Sequence, residues 1–193
     1  MVNGFDYALG LLTILMGLAL ADITFSFHKL AVRARTIRWD GRVLLAAALV
    51  VFECVRLWFA QWTLRNIAVA LTFPIYFGLF VEMLLLVLLA TSCLPDDPTD
   101  DFDLRVFYEV RRRYFWGLFT GYHLMFFIWW IIFGATSANG VSAAGPIDWI
   151  RVLAPLVLFP LLMFVRRRWL DYALPTIFIL FYTARYWHAT LSA

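Results

Sequence analysis

Six apolar stretches, each long enough to cross a bilayer, constrain this chain more than any motif in it. They run roughly over 5–28, 43–64, 67–93, 114–136, 149–165 and 169–190. In hydrocarbon, backbone N–H and C=O groups find no water, so stretches of this kind satisfy them internally by forming helices. The expected fold is all-α: a polytopic membrane protein with six transmembrane helices in one domain over 1–193. Composition agrees, with 64% hydrophobic and 15% charged residues, far from the soluble average. Six spans with short connections use nearly all of the 193 residues, which leaves no length for a soluble catalytic or sensor domain.

Basic residues sit at every second junction. Lys29, Arg33, Arg35, Arg38 and Arg42 flank the first connection, Arg105, Arg111, Arg112 and Arg113 the third, and Arg166, Arg167 and Arg168 the fifth. Of the 16 basic residues only Arg56, Arg65, Arg151 and Arg185 lie elsewhere. The positive-inside rule places the odd connections in the cytoplasm, and six crossings then put both termini outside, in the periplasm. The net charge of +3 follows from this arrangement and calls for no nucleic-acid partner. Arg33, Arg35, Arg38, Arg111, Arg112, Arg113, Arg166, Arg167 and Arg168 are expected to meet anionic lipid headgroups. Met1 to Ala21 holds no basic residue, so the first stretch reads as an uncleaved span.

Small residues mark close helix packing. Gly10, Gly17 and Ala21 share one face of span one, and Gly117 and Gly121 form a GxxxG pair in span four. Only Leu64 to Asn66 separates spans two and three, which predicts a tight hairpin. Span three is the longest, with Pro74 in its outer third, and is expected to tilt, kink or extend into the cytoplasm. In the third connection, "PDDPTDDFD" (95–103) stops one helix with prolines and supplies aspartates to cap the next. An amphipathic cytoplasmic helix over about 102–113 should follow, lying at the inner surface and leading into span four. Pro155 and Pro160 interrupt span five, yet the charge pattern requires it to cross.

Ionisable groups at membrane depth are costly, so they are the candidate site. At 1.5 Å per residue, Asp22 lies ~25 Å from the outer end of span one and Glu82 ~22 Å from that of span three. Glu53 is ~15 Å, Arg56 ~20 Å and His123 ~14 Å from the inner ends of their spans. Asp22, Glu53, Arg56, Glu82 and His123 are therefore expected to form an intramembrane polar cluster, either a structural network or a proton or cation path. Glu53 and Arg56, at i and i+3, can pair directly.

No catalytic residue and no metal site is expected: no nucleophile and base are paired by spacing, and the aspartates at 96–103 lack calcium-loop spacing. His28, His123 and His188 fall at different depths, which disfavours bis-histidine haem. Lys29, the only lysine, lies at a helix end and cannot hold retinal in mid-membrane. Cys54 and Cys93 read as free core thiols. No cofactor is predicted; lipid is the expected bound species, and the aromatic content of 19% leaves room for pigment, quinone or haem.

The stretch "PDDPTDDFDLRVFYEVRRRYFW" (95–116) resembles a pattern in uncharacterised multi-pass inner-membrane proteins of proteobacteria. It implies a bacterial inner membrane and brings no activity or site with it. The resulting expectation is a non-catalytic, multi-pass inner-membrane protein, a packing or accessory subunit of a homo-oligomer or a larger membrane complex. Its partners would be lipid, itself and other membrane subunits. The alternative is a small oligomeric proton or cation channel or transporter built on the acidic and histidine cluster. A lipid-modifying enzyme at the inner interface ranks third.

Overall fold

A computed structural model describes residues 4–64, 72–136 and 145–187. Six helices follow one another: α1 (Gly4–Val32), α2 (Gly41–Leu64), α3 (Phe73–Cys93), α4 (Leu104–Thr136), α5 (Pro146–Phe164) and α6 (Arg168–Tyr186). Helices α1 to α5 each contain a segment long and apolar enough to cross a membrane. α6, with Arg168, Asp171 and Arg185 in 19 residues, does not reach that standard over its described length. The outward surface is apolar as well: Ile14, Phe25, Phe73, Val157 and Ile177 are each more than 60% exposed. Water does not tolerate such a continuous apolar surface, and lipid does.

α2 is the hub of the bundle, touching α1, α3, α4 and α6, while α1 packs chiefly on α3 and α4 on α5. The connections after α1, α3 and α5 gather at one end. There Arg38 N–H donates to the Phe102 carbonyl at 3.0 Å and Leu104 N–H donates to the Arg38 carbonyl at 3.1 Å, an isolated parallel bridge between two connections. Asp103 Oδ1 accepts from the N–H groups of Arg105 (2.8 Å) and Val106 (3.4 Å), capping α4 as its place in the sequence suggests.

Three local expectations are corrected. No separate amphipathic helix lies over 102–113; α4 is one continuous helix of 33 residues, about 50 Å long. Nothing between Leu104 and Trp116 breaks it, and Leu104, Tyr108, Arg112, Phe115 and Trp116 turn one buried stripe toward the bundle. Its first turns dock on protein. Pro74 does not kink α3, because the helix opens at Phe73 and the proline sits in its first turn, where its missing N–H costs nothing. Thr72, in extended conformation, holds the N-cap position without a side-chain capping bond, and α3 starts six residues later than expected. Residues 65–71, on which the expected tight hairpin between spans two and three falls, lie outside the described residues.

Pro155 and Pro160 remain within a continuous α5. A proline withholds a hydrogen bond from the carbonyl four residues earlier. For Pro155 that carbonyl is Arg151's, and the Tyr182 hydroxyl from α6 donates to it at 3.3 Å.

Among the described glycines, the closest approach to a neighbouring helix is where α3 meets α4. A Cβ at Gly78 would run into the Trp129 indole, whereas one at Gly121 would meet nothing within 4 Å. Gly78→Ala should therefore lower stability by about 1–3 kcal/mol, and Gly121→Ala should leave it unchanged, as measured by thermal unfolding in detergent.

Candidate functional site

Charge is buried in two places. In the middle of the bundle, Arg56 on α2 donates from Nε (2.8 Å) and Nη2 (2.6 Å) to Glu53 Oε2, one turn earlier on the same helix. The Tyr122 hydroxyl of α4 donates to the same oxygen at 3.2 Å. The guanidinium lies over the rings of Phe126 (4.5 Å) and Tyr182 (5.2 Å), a cation–π enclosure that replaces water. His123 Nδ1 donates to the Phe119 carbonyl at 3.1 Å, which in the neutral ring leaves Nε2 with a lone pair facing Glu53 Oε1 at 3.8 Å. A proton on either atom would join them. Glu82 on α3 is buried and within electrostatic reach of both Glu53 and Arg56, and its Oε1 has no hydrogen-bond partner. The pocket thus holds two carboxylates for one guanidinium.

The second cluster lies at the arginine-rich end and draws on four helices. Arg42, at the start of α2, binds Asp40 (Nη2–Oδ2 2.7 Å), Glu109 of α4 (Nη1–Oε1 2.6 Å) and Asp171 of α6 (Nη1–Oδ2 3.5 Å). Arg112 of α4 binds Asp171 Oδ1 at 2.8 Å and donates to the Leu162 and Val165 carbonyls at the end of α5. Those carbonyls belong to a helix terminus, where no backbone donor follows, so Arg112 supplies the missing donors. Tyr108 completes the cluster, lying under the Arg42 guanidinium at 4.6 Å and accepting from Trp116 Nε1 at 3.1 Å. Burial alone would raise the Asp40 carboxyl, but the hydrogen bonds and charge of Arg42 outweigh it and hold Asp40 below the usual range.

Four of the five residues expected in the intramembrane cluster, Glu53, Arg56, Glu82 and His123, come together. Asp22 is placed apart, on α1, with Lys29 and Asp96 as its charged neighbours. Of the expected headgroup contacts, Arg33, Arg35, Arg38, Arg111, Arg113, Arg166, Arg167 and Arg168 are exposed. Arg112 is the exception and a correction: it is buried and fully engaged by protein groups, because Asp171 and the end of α5 lie where lipid was expected. The expected packing glycines meet little within the chain. A Cβ at Gly10 or Gly17 would meet nothing within 4 Å, and one at Gly117 would only touch the Met163 methyl at 3.5 Å, so these residues permit no close approach inside the bundle.

Asp148 accepts from Arg185 at 3.2 Å and lies 3.9 Å from Arg151, joining α5 and α6 at the end opposite the arginines. Asp6 and His188 lie outside the described side chains. Cys54 and Cys93 are buried free thiols. Among the described residues, no group of three or more His, Cys, Asp or Glu could hold a metal ion.

The Arg42–Asp171–Arg112 network escaped sequence reasoning, since its members are 42, 112 and 171 in the chain and each resembles an interfacial charge. One signal was present: Asp171 sits a turn inside an apolar stretch, directly after three arginines.

No family model, curated protein or solved structure matches the chain.

The two carboxylates of the central pocket should behave oppositely. Glu53→Gln strands the buried Arg56 charge and should cost about 3–5 kcal/mol. Glu82→Gln replaces a buried carboxyl whose Oε1 has no partner and should be neutral or stabilising, both read from unfolding in detergent. At the rim, the depressed Asp40 carboxyl contributes stability that is complete above the unfolded value of about 3.9 and lost as pH falls through its lower folded value. In Asp40→Asn this part of the acid-induced loss should disappear, as read by thermal midpoints across pH 2–5.

Proposed function

We propose that the protein is a non-catalytic, multi-pass protein of the bacterial inner membrane, acting as a packing or accessory subunit of a homo-oligomer or a larger membrane complex. One observation carries this reading: the small-residue face of α1 points away from the rest of the chain. Gly10, Ile14, Gly17, Ala21 and Phe25 fall on one side of the helix, with Ile14 68% and Phe25 67% exposed and open space beside both glycines. In membranes, small residues let another helix approach closely, and here no helix of the same chain does so. A second copy or a foreign subunit is the occupant that such a face fits.

In the same reading the arginine-rich end is cytoplasmic, all six helices cross, and both termini are periplasmic. Support for the sixth crossing comes from α6 itself. Its start is tied to Arg112 and Arg42 at the arginine-rich end and its last turn to Asp148 at the other, over 19 residues or about 28 Å. That length matches the hydrocarbon core of about 30 Å.

A second reading, a small oligomeric proton or cation channel, is favoured by Glu82. It is a second acidic group beside the one guanidinium of the central pocket, its Oε1 without a partner, and His123 Nε2 stands 3.8 Å from Glu53 Oε1. Proton or potassium flux into liposomes that falls with Glu82→Gln would support it. Flux equal to that of empty liposomes would sink it.

For the subunit reading, a leucine at position 17 has room in the isolated chain but would fill the seam. Gly17→Leu should leave the unfolding midpoint unchanged and abolish the higher-mass species seen by native mass spectrometry or light scattering in mild detergent. An unaltered complex would contradict the reading.

A further inference from the structure

Basic side chains from three separate connections converge on one cleft at the arginine-rich end. The cleft, of about 320 Å³, is bounded by Arg38 and Trp39 before α2, Arg105 in the first turn of α4, and Arg168 and Tyr172 in the first turns of α6. Its floor includes Arg42, which is buried.

The fold forces these charges together. The parallel bridge at Arg38 sets that residue beside the start of α4, hence beside Arg105. Asp171, gripped by Arg42 and Arg112, holds the start of α6 and with it Arg168 against the same rim. Like charges brought together by separate elements repel unless an anion lies between them.

The carboxylates in the cleft are already engaged. Asp40 is bound twice over by Arg42, at 2.7 and 3.1 Å, and Asp103 caps α4 at 2.8 Å. Among the described residues, Arg38, Arg105 and Arg168 enter no ion pair within 4 Å, although Arg168 lies within electrostatic reach of Asp40, and all three are exposed. Trp39 and Tyr172, 41% and 43% exposed, flank them with the aromatic surface favoured at headgroup depth.

We propose that this cleft is a phosphate-binding site, with Arg38, Arg105 and Arg168 as its ligating side chains. Planar guanidinium groups present paired N–H donors that match phosphate oxygens, and three of them suit a group with several acceptor oxygens. The phosphate comes either from an anionic phospholipid headgroup or from a soluble phosphate compound. The site stands apart from the α1 face, so Gly17→Leu should not alter it.

The test uses the full chain in detergent with two probes, phosphatidylglycerol followed by native mass spectrometry and inorganic phosphate followed by calorimetry. Arg38→Gln, Arg105→Gln and Arg168→Gln should each weaken binding of the effective probe roughly fivefold. Arg185→Gln, an exposed arginine at the opposite end of the bundle and outside the expected headgroup contacts, should not. Arg38→Lys should retain part of the affinity, which separates loss of charge from loss of fold. Binding of phosphatidylglycerol with no inorganic phosphate uptake assigns the site to a headgroup; saturable inorganic phosphate binding assigns it to a soluble ligand. If neither probe binds the unaltered protein, or if Arg185→Gln weakens binding as much as the three substitutions in the cleft, the proposal is overturned.

Discussion

The guanidinium of Arg112 is the point at which the helices of this bundle are made to agree. It lies on α4, satisfies the orphan carbonyls at the end of α5, and pairs with Asp171, which begins α6 and is shared with Arg42 at the start of α2. A buried charge of either sign costs several kcal/mol when unpaired, on the order of 3–5. Helices whose apolar faces slide easily in lipid thus acquire one register in which Arg42 and Arg112 meet Asp40, Glu109 and Asp171. Apolar packing alone would not choose it, because lipid tails compete equally well for leucine and phenylalanine.

The consequences run outward from that end. With the first turns of α4 held in the cluster, the helix stays unbroken for 33 residues and carries Tyr122 and His123 to the depth of Glu53 and Arg56. With α6 anchored by Asp171, Tyr182 reaches the Arg151 carbonyl that Pro155 leaves unbonded and lies beside Arg56 as well. The central pocket is thereby closed by residues of α2, α3, α4 and α6. The outer face of α1, which takes no part in either cluster, keeps its glycines free.

What the sequence made legible was whatever depends on local chemistry. Hydropathy located all six helices, although α3 begins later than expected because Pro74 favours a first turn over a helix interior. The i, i+3 spacing of Glu53 and Arg56 predicted a pair that the structure forms. Arg112 was misread, since three consecutive arginines look alike in a list of residues and differ only in which side of α4 they occupy. Position 112 is eight residues, a little over two turns, after Leu104, and so shares its buried stripe. The glycines of α1 were recognised as a packing seam, but no pattern within one chain says whether such a seam faces inward or outward. Asp22 lies near Cys93, Asp96 and Lys29, toward the arginine-rich end, about three turns of α3 beyond Glu82.

The central claim is that Arg112 and Asp171 act as one unit in holding the bundle. A double-mutant cycle with Arg112→Gln, Asp171→Asn and the double variant, followed by unfolding in detergent, tests it most directly. Each single substitution should cost about 3–5 kcal/mol. The double variant should cost less than their sum by about 1–3 kcal/mol, because the second change removes a partner already lost. Costs that add to within about 0.5 kcal/mol would mean that the two residues act independently and would contradict the account.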